Sequence, residues 1–507
     1  MSIATDKLNN VYITGDYSDT ITFGSFVLTT NNVGRFYLAK YDSSGNVKWA
    51  KSTVNSSNAY CGGYSVCTDV FGNVYVTGQF YYTAHFGSYT LTSNGNDDIF
   101  LAKYDSSGNV LWAKSAGGSL YDYGSGLSTD RTGNVYVTGS FQSPTITFGP
   151  YTLTNAGSYD IFLAKYDSSG NIGWVKNFGG SGADEGYSVA TDALANVYVT
   201  GFFTSPSISF GIYTLINAGA DNIFLAKYDS LGNVLWAKNN GGTGGVIGCY
   251  VAADSSGNAY ITGDYGSGSI TFGSDTLINA GGNDAFLAKY TSSGNVDWAK
   301  RIGGIGNEVG WCVAVDKSNN VYVTGSFDST SLTFDTITVQ RPVVHNDPMF
   351  IAGYDSSGHA LWAKALGSGG NTKNSVASSP SGCLYIGGDF KKVNPFIIGN
   401  DSLHLSGASD VFVAKLCSSQ SGQYVSDVAD NVPLSFFPNP FHNQLTITAQ
   451  SNQQYEVSLF DVVGRLLLHR LFANQTTINT EQLAKGVYIL QLKDGQGVCY
   501  NQKVVKE

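Results

Sequence analysis

An all-β chain of repeated four-stranded sheets is what this sequence of 507 residues predicts. Three observations predict it. The motif NVYVTG, in close variants, starts at Asn10, Asn73, Asn134, Asn196, Asn258 and Asn320, and CLYIGG follows at Cys383, with steps of 61 to 63 residues. A second motif, FLAKYDSSGNVLWAK in its fullest form, keeps the same step and sets Trp49, Trp112, Trp174, Trp236, Trp298 and Trp362 in one column. No stretch carries apolar residues at a period of about 3.6 over helical length.

Each copy of about 62 residues reads as two hairpins. The first joins YSVATD to VYVTG, and the second joins FLAKYD to VLWAK through SSGN. Tyr, Val, Phe and Trp favour a pleated surface. Gly supplies positive φ in the turns, while Asp and Asn bond to nearby backbone. Phe162 and Leu163 are adjacent, as are Leu111 and Trp112. Neighbours along a strand face opposite ways, so these strands are apolar on both faces. A repeated sheet buried on both faces fits blades stacked around an axis, and propellers hold roughly four to eight blades. The fold class expected is a seven-bladed β-propeller over residues 1–430, with each Trp packed between neighbouring blades. Copy seven decays from Phe412, and Tyr424 holds its Trp position.

Composition removes several function classes. Lys+Arg 28 against Asp+Glu 38 gives 28 − 38 = −10. A nucleic-acid binder shows the opposite balance. Aromatics make up 13% of the chain, which a disordered polymer lacks. No apolar run reaches the length of about 18 residues that a membrane-spanning helix needs. A monomer without a transmembrane segment is expected.

The repeats resemble the seven-bladed β-propeller repeat family of secreted bacterial proteins, which implies the fold and little about activity. After Cys417 the texture changes. A polar linker, SSQSGQYVSDVADNVP, precedes residues 434–507, whose alternating segments read as a small β-sandwich. This segment resembles the C-terminal sorting domain of type IX secretion in Bacteroidetes. The matching residues are Pro438, Asn439 and Pro440, then Asp461, Gly464 and Arg465, then Gly486, Val487 and Tyr488, and the terminal Lys503 to Lys506. The resemblance implies export across the outer membrane, the secretion machinery as a partner, and an extracellular or cell-surface destination. Such cargo begins with a cleavable signal peptide. MSIATDKLNN is not one: SIATD matches SVATD at Ser188, so a truncated start is expected.

Seven cysteines, Cys61, Cys67, Cys249, Cys312, Cys383, Cys417 and Cys499, show no zinc spacing. Cys383 begins the second strand of copy seven and Cys417 ends its third, so antiparallel pairing brings them together as a candidate disulfide. The others read as buried thiols.

Loops on a rigid scaffold carry function, so the end bearing the longer, varied connections is the candidate binding face. The position twelve residues before the Asn of NVYVTG holds Asp122, Asp184 and Glu308 in three copies. Tyr121, Tyr123, Glu185, Tyr187 and Trp311 stand near them, with Trp311 expected on the stretch before a first strand. Acids beside aromatic rings suit a glycan, a cationic peptide or a hard cation such as calcium. The plainer reading is solvated loop residues and strand caps. No catalytic residue, metal ligand set or cofactor is assigned. A binding module for an unknown protein or glycan ligand is the leading reading. The alternatives are a glycan-active hydrolase or lyase using these acids, and a structural or adhesive surface protein.

Overall fold

A computed structural model describes all residues except 31–32, 56–58, 218, 220, 242–244, 267, 343–347, 369–373, 392–395, 399–400, 405–408, 418–433, 438–441, 450–453, 462–464, 494–498 and 507. It divides into two compact units, Met1–Ser418 and Ser419–Glu507.

The first unit is all-β and repeats one sheet. In the second copy the strands are Cys61–Thr68, Val74–Phe80, Asp98–Tyr104 and Val110–Ala116, paired antiparallel in that order. Two Asx-type turns fix the hairpins. Asp69 Oδ1 accepts from the N–H of Phe71 and Asn73, and Asp105 Oδ1 accepts from Ser107 and Asn109. Among the described residues seven such sheets occur, and the last, Ser375–Ser378, Cys383–Lys391 and Ser409–Cys417, has three strands. Tyr424 lies outside the described residues.

The connection between second and third strands is not the open insertion that the sequence suggests. It folds as a further hairpin in every copy, such as Thr145–Phe148 with Tyr151–Thr154. Its buried phenylalanine packs on a third-strand aromatic ring: Phe23 on Tyr37 at 5.2 Å, Phe148 on Phe162 at 5.1 Å, Phe210 on Phe224 at 5.1 Å, and Phe272 on Phe286 at 5.0 Å. Gly149, at φ 57°, takes the first place of its two-residue turn, where Gly is preferred.

Neighbouring sheets join at the opposite end, through the SSGN turns. Lys103 Nζ and Trp112 Nε1 both donate to Ser168 O of the next sheet, at 2.8 and 3.2 Å. The pairs Lys40 with Trp49, Lys165 with Trp174, Lys227 with Trp236 and Lys289 with Trp298 do the same to Ser106, Ser230, Ser292 and Ser356. Each indole lies on the turn glycine: a Cβ on Gly170 would stand 3.0 Å from the Trp112 ring. The first strands form a second belt. Thr191 Oγ1 donates to Thr129 O, Thr129 to Thr68 O, Thr68 to Thr5 O, Thr5 to Ser378 O, and Ser378 to Val315 O. The seventh sheet therefore bonds to the first, as does Lys415 Nζ to Ser43 O at 2.7 Å. In the seventh sheet Cys383 and Cys417 are cross-strand partners joined by a disulfide, with Cα atoms 4.2 Å apart.

The second unit contains two antiparallel sheets. One has the order Leu434–Phe437, Gln444–Ala449, Gln475–Asn479. The other has the order Leu466–Ala473, Gln454–Asp461, Gly486–Lys493, Cys499–Lys506. They share one core, including Leu445, Ile447, Val457, Leu459, Ile478 and Leu490.

Candidate functional site

The hairpins and inter-sheet links gather at the end of the sheets opposite the SSGN turns. Asp122, Asp184 and Glu308 are at this end, but they are neither on links nor exposed. Each begins a first strand, Asp122–Thr129, Asp184–Thr191 and Glu308–Val315, and each is 0% exposed. Asp122 Oδ2 accepts from Gly118 N and Ser143 Oγ, and its Oδ1 accepts from the N–H of Gln142 and Ser143. Asp184 repeats the pattern with Gly180, Thr204 and Ser205. Glu308 takes Gly304 N at 2.7 Å and Ser329 Oγ at 2.5 Å. Burial, only partly offset by these donors, raises the carboxyls of Asp122 and Glu308 above the ordinary range. These acids stand in separate sheets and cap them, which corrects their expected place on the links. The correction has a sequence signal. In all three copies a serine stands 21 residues after the acid and bonds to it.

The aromatic candidates fare differently. In five sheets the first strand carries one residue more than its partner, the fifth passing from Ile247 to Tyr250 while its partner passes from Asp264 to Thr262. In the other four, pairing skips from Gly63 to Ser65, Gly124 to Gly126, Gly186 to Ser188, and Gly310 to Cys312. The residues set out of register in these four are Tyr64, Ser125, Tyr187 and Trp311. A bulge breaks strict alternation and re-aims a side chain. Trp311 thus lies within a first strand, not ahead of one, and its Nε1 donates to Ser326 Oγ at 3.0 Å. Tyr187 packs on Phe202 with centroids 5.5 Å apart. The first strands of successive sheets are bonded side by side through the threonine belt. The bulges therefore recur around the inner edge of the repeat.

Aromatic pairs also stand at this end of the second and third sheets. Tyr123 stacks on Tyr159 at 5.9 Å, and their hydroxyls are 3.1 Å apart. Burial, the Tyr159 hydroxyl, and the charges of Asp97 and Glu185 raise the Tyr123 phenol. Tyr60 is hydrogen-bonded to Tyr64, and burial followed by Asp16 pushes Tyr60 up to about 12. Tyr121 is exposed. Sequence reasoning missed Asp16, Tyr60, Asp97 and Tyr159, because no single copy places them together. Among the described residues no three His, Cys, Asp or Glu side chains converge to hold a metal ion.

In the second unit, Lys506 is buried, and its Nζ donates to Thr480 O at 2.6 Å and to His442 O. Arg465 Nε meets Asp461 Oδ2 at 3.1 Å, and Tyr488 OH donates to Ala484 O at 2.6 Å. Gly486 begins its strand at φ 154°. Pro438, Asn439, Pro440 and Gly464 lie outside the described residues.

Residues 435–507 match the family described as the secretion system C-terminal sorting domain. Residues 111–140 match the beta-propeller repeat. The chain carries β-propeller repeats and a C-terminal secretion sorting domain. This sorting domain implies type IX export to the cell surface or beyond, and contact with the secretion machinery. No helix among the described residues is long and apolar enough to cross a membrane.

Two relatives are similar in sequence. An uncharacterised WD repeat-containing protein of Acanthamoeba polyphaga mimivirus is 25% identical over 490 residues, covering 77% of this chain and 35% of that protein. The regulatory protein FlaEY of Caulobacter vibrioides is 32% identical over 110 residues, covering 21% of this chain and 12% of that protein. The chain thus spans about a third of the first relative and about an eighth of the second. Among solved structures, a mutant of Synechocystis apocarotenoid oxygenase is 10% identical, with a TM-score of 0.35 and coverage of 86% of this chain and 92% of that one.

Proposed function

We propose that the seven sheets are the blades of a closed seven-bladed β-propeller, followed by a small β-sandwich that sorts it for export. We further propose that the exported propeller is a non-enzymatic binding module whose site is the aromatic mouth at its loop-bearing end. The observation that carries this reading is the recurrence of Tyr64, Tyr187 and Trp311 at first-strand bulges. A purely structural blade has no need of an extra residue on its innermost strand, and bulges cluster where side chains must be re-aimed. Tyr and Trp give large contact area at low entropic cost, which suits recognition. The carboxylates first suited to hydrolysis are each saturated by donors within their own sheet, which favours binding over catalysis.

The test is a screen of the full chain against glycan and peptide arrays, beside the variant Tyr64→Ala/Tyr187→Ala/Trp311→Ala. Hits lost in a variant that still melts cooperatively support the module. A chain that binds no probe on either array is a structural or adhesive surface protein instead.

A further inference from the structure

We propose that the mouth binds a neutral oligosaccharide, laid along tyrosines of the second and third sheets. The proposal rests on the binding reading above and names the ligand class of that site.

A line of contacts carries tyrosines from the second sheet to the third. The Tyr60 ring lies on Gly34, where a Cβ would stand 2.6 Å from it, and its hydroxyl reaches over Gly62, two residues before Tyr64. Tyr60 O accepts from Tyr81 N at 2.9 Å, and the Tyr81 and Tyr82 rings meet with centroids 3.9 Å apart. Tyr82 N donates to Ser93 Oγ at 3.0 Å, and its carbonyl accepts from Ser93 N at 2.8 Å. The loop after Ser93 rests on the next link. Gly95 packs so closely on Ser119 that no Cβ fits, and Asp97 O accepts from Asp122 N at 2.8 Å. Tyr121 lies in that link, between the two contacts. Tyr64, Tyr82 and Tyr121 are 37%, 49% and 43% exposed, so each leaves part of its ring open to a ligand.

A separate observation concerns Tyr82, which is held at φ 64°. The other described non-glycine residues at positive φ are Asn, Asp or Ala. A bulky residue there is an outlier. In other copies the carbonyl that accepts the same hairpin-closing bond belongs to Asp19, Pro144, Pro206, Gly268 or Thr330, and none of these is at positive φ. The hairpin itself therefore requires neither the tyrosine nor the strain. Strain of this kind gathers at ligand clamps, where it sets the direction of a side chain.

The ligand class follows from what surrounds the rings. A pyranose with equatorial hydroxyls offers a face of C–H bonds, attracted to the negative face of an aromatic ring, and a rim of hydroxyls. The loop between Tyr82 and Tyr121 is Ser93-Asn94-Gly95-Asn96-Asp97, which supplies hydroxyl, amide and carboxylate groups for such a rim. Leu120 is the one exposed aliphatic side chain beside it, too little for the apolar groove that a hydrophobic peptide needs. Charges of both signs border the line. Arg35 follows the Gly34 that carries the Tyr60 ring, Asp16 pairs with Phe36 on the same two strands, and Asp97 ends the loop. Mixed charge favours a neutral ligand over a polyanion or a polycation. Three rings in line suit a chain of several sugars.

The experiment is calorimetric titration of the full chain with cellohexaose, whose ring substituents are all equatorial, beside hexagalacturonate and nona-arginine as charged probes. Cellohexaose is expected to bind more tightly than either charged probe. Tyr82→Gly and Tyr121→Ala should each weaken it about tenfold, while Tyr151→Ala, an exposed tyrosine on a hairpin of the third sheet, should change it less than about twofold. Glycine relieves the strain at position 82, so Tyr82→Gly should lose binding without a fall in melting temperature. Three results would overturn the proposal: wild type that does not bind cellohexaose, tighter binding of either charged probe, or equal weakening by Tyr82→Gly and Tyr151→Ala. A lower melting temperature with binding intact in Tyr82→Gly would assign Tyr82 to the scaffold and overturn it as well. Peptide hits on the array without cellohexaose binding would remove the glycan class and keep the binding module, whereas no hit of either kind would remove both.

Discussion

Asp98 and Asp160 begin third strands, and each has its Oδ1 buried without a partner. Each lies against a glycine of the following link: a Cβ on Gly117 would stand 2.3 Å from Asp98 Oδ1, and one on Gly179 would stand 2.1 Å from Asp160 Oδ1. The GG pairs of the links are thus steric allowances for carboxyl groups, not anion-binding loops. Burial pushes Asp98 up to about 7 and Asp160 up to about 6, with the neighbouring first-strand acids Asp122 and Asp184 adding to the rise. The sign follows from linkage. Between the unfolded value of about 4 and the folded value, the native state holds more protons than the unfolded chain, so stability rises as pH falls through that window. The propeller should therefore melt higher at pH 5.5 than at pH 8. Asp98→Asn, which copies Asn222 at the equivalent place, should remove up to about 1.4 kcal/mol per pH unit of that slope. Urea melts of both proteins across the range check this, and parallel slopes would refute it.

The turn and the indole explain each other at the level of the element. SSGN needs glycine twice over: Gly294 sits at φ 83°, and a Cβ there would stand 2.8 Å from the Trp236 ring. Trp236 also stacks on Tyr290 with centroids 6.5 Å apart and is nearly buried. Trp236→Ala should cost about 3–5 kcal/mol in denaturant melts, the range for an aromatic lost from a core. A loss below about 1 kcal/mol would show that the column does not hold the sheets together. The sixth sheet has Gly353 where others carry the latching lysine, and the seventh shows three described strands. That is where the disulfide sits. Cys383→Ser with Cys417→Ser frees a loop of 34 residues and should cost about 4 kcal/mol by the chain-entropy argument. Comparing the double variant with wild type, with and without reductant, reads this directly. The extra hairpins escaped sequence reading because strands such as TITF are only four residues long. Their alternation is too short to separate from a loop without the phenylalanine pairs that tertiary contact supplies.

Across the whole molecule, the chain closes on itself through Thr5 with Ser378 and Lys415 with Ser43, contacts that span more than 370 residues. Export is carried by the other unit, which has its own core. Removing residues 435–507 should therefore leave a cooperatively melting propeller that stays inside the producing cell. Fractionation with an immunoblot measures retention, and secretion of the truncated chain at the wild-type level would contradict the assignment of export to that domain.

The sequence by itself determined the repeat, its strands and turns, the Trp column and the sorting motifs, because each is local or recurs at a fixed step. Cys383 and Cys417 were readable because antiparallel pairing of two recognisable strands fixes their register. Tertiary structure alone decided which acids cap a strand. Asp122 and Asp97 look alike as letters; burial beside Ser143 assigns the first to the scaffold, while Asp97 is placed to act electrostatically on tyrosines of two sheets. A cap is a bond within one copy, while a site is a meeting of several, and only closure of the sheets brings those together.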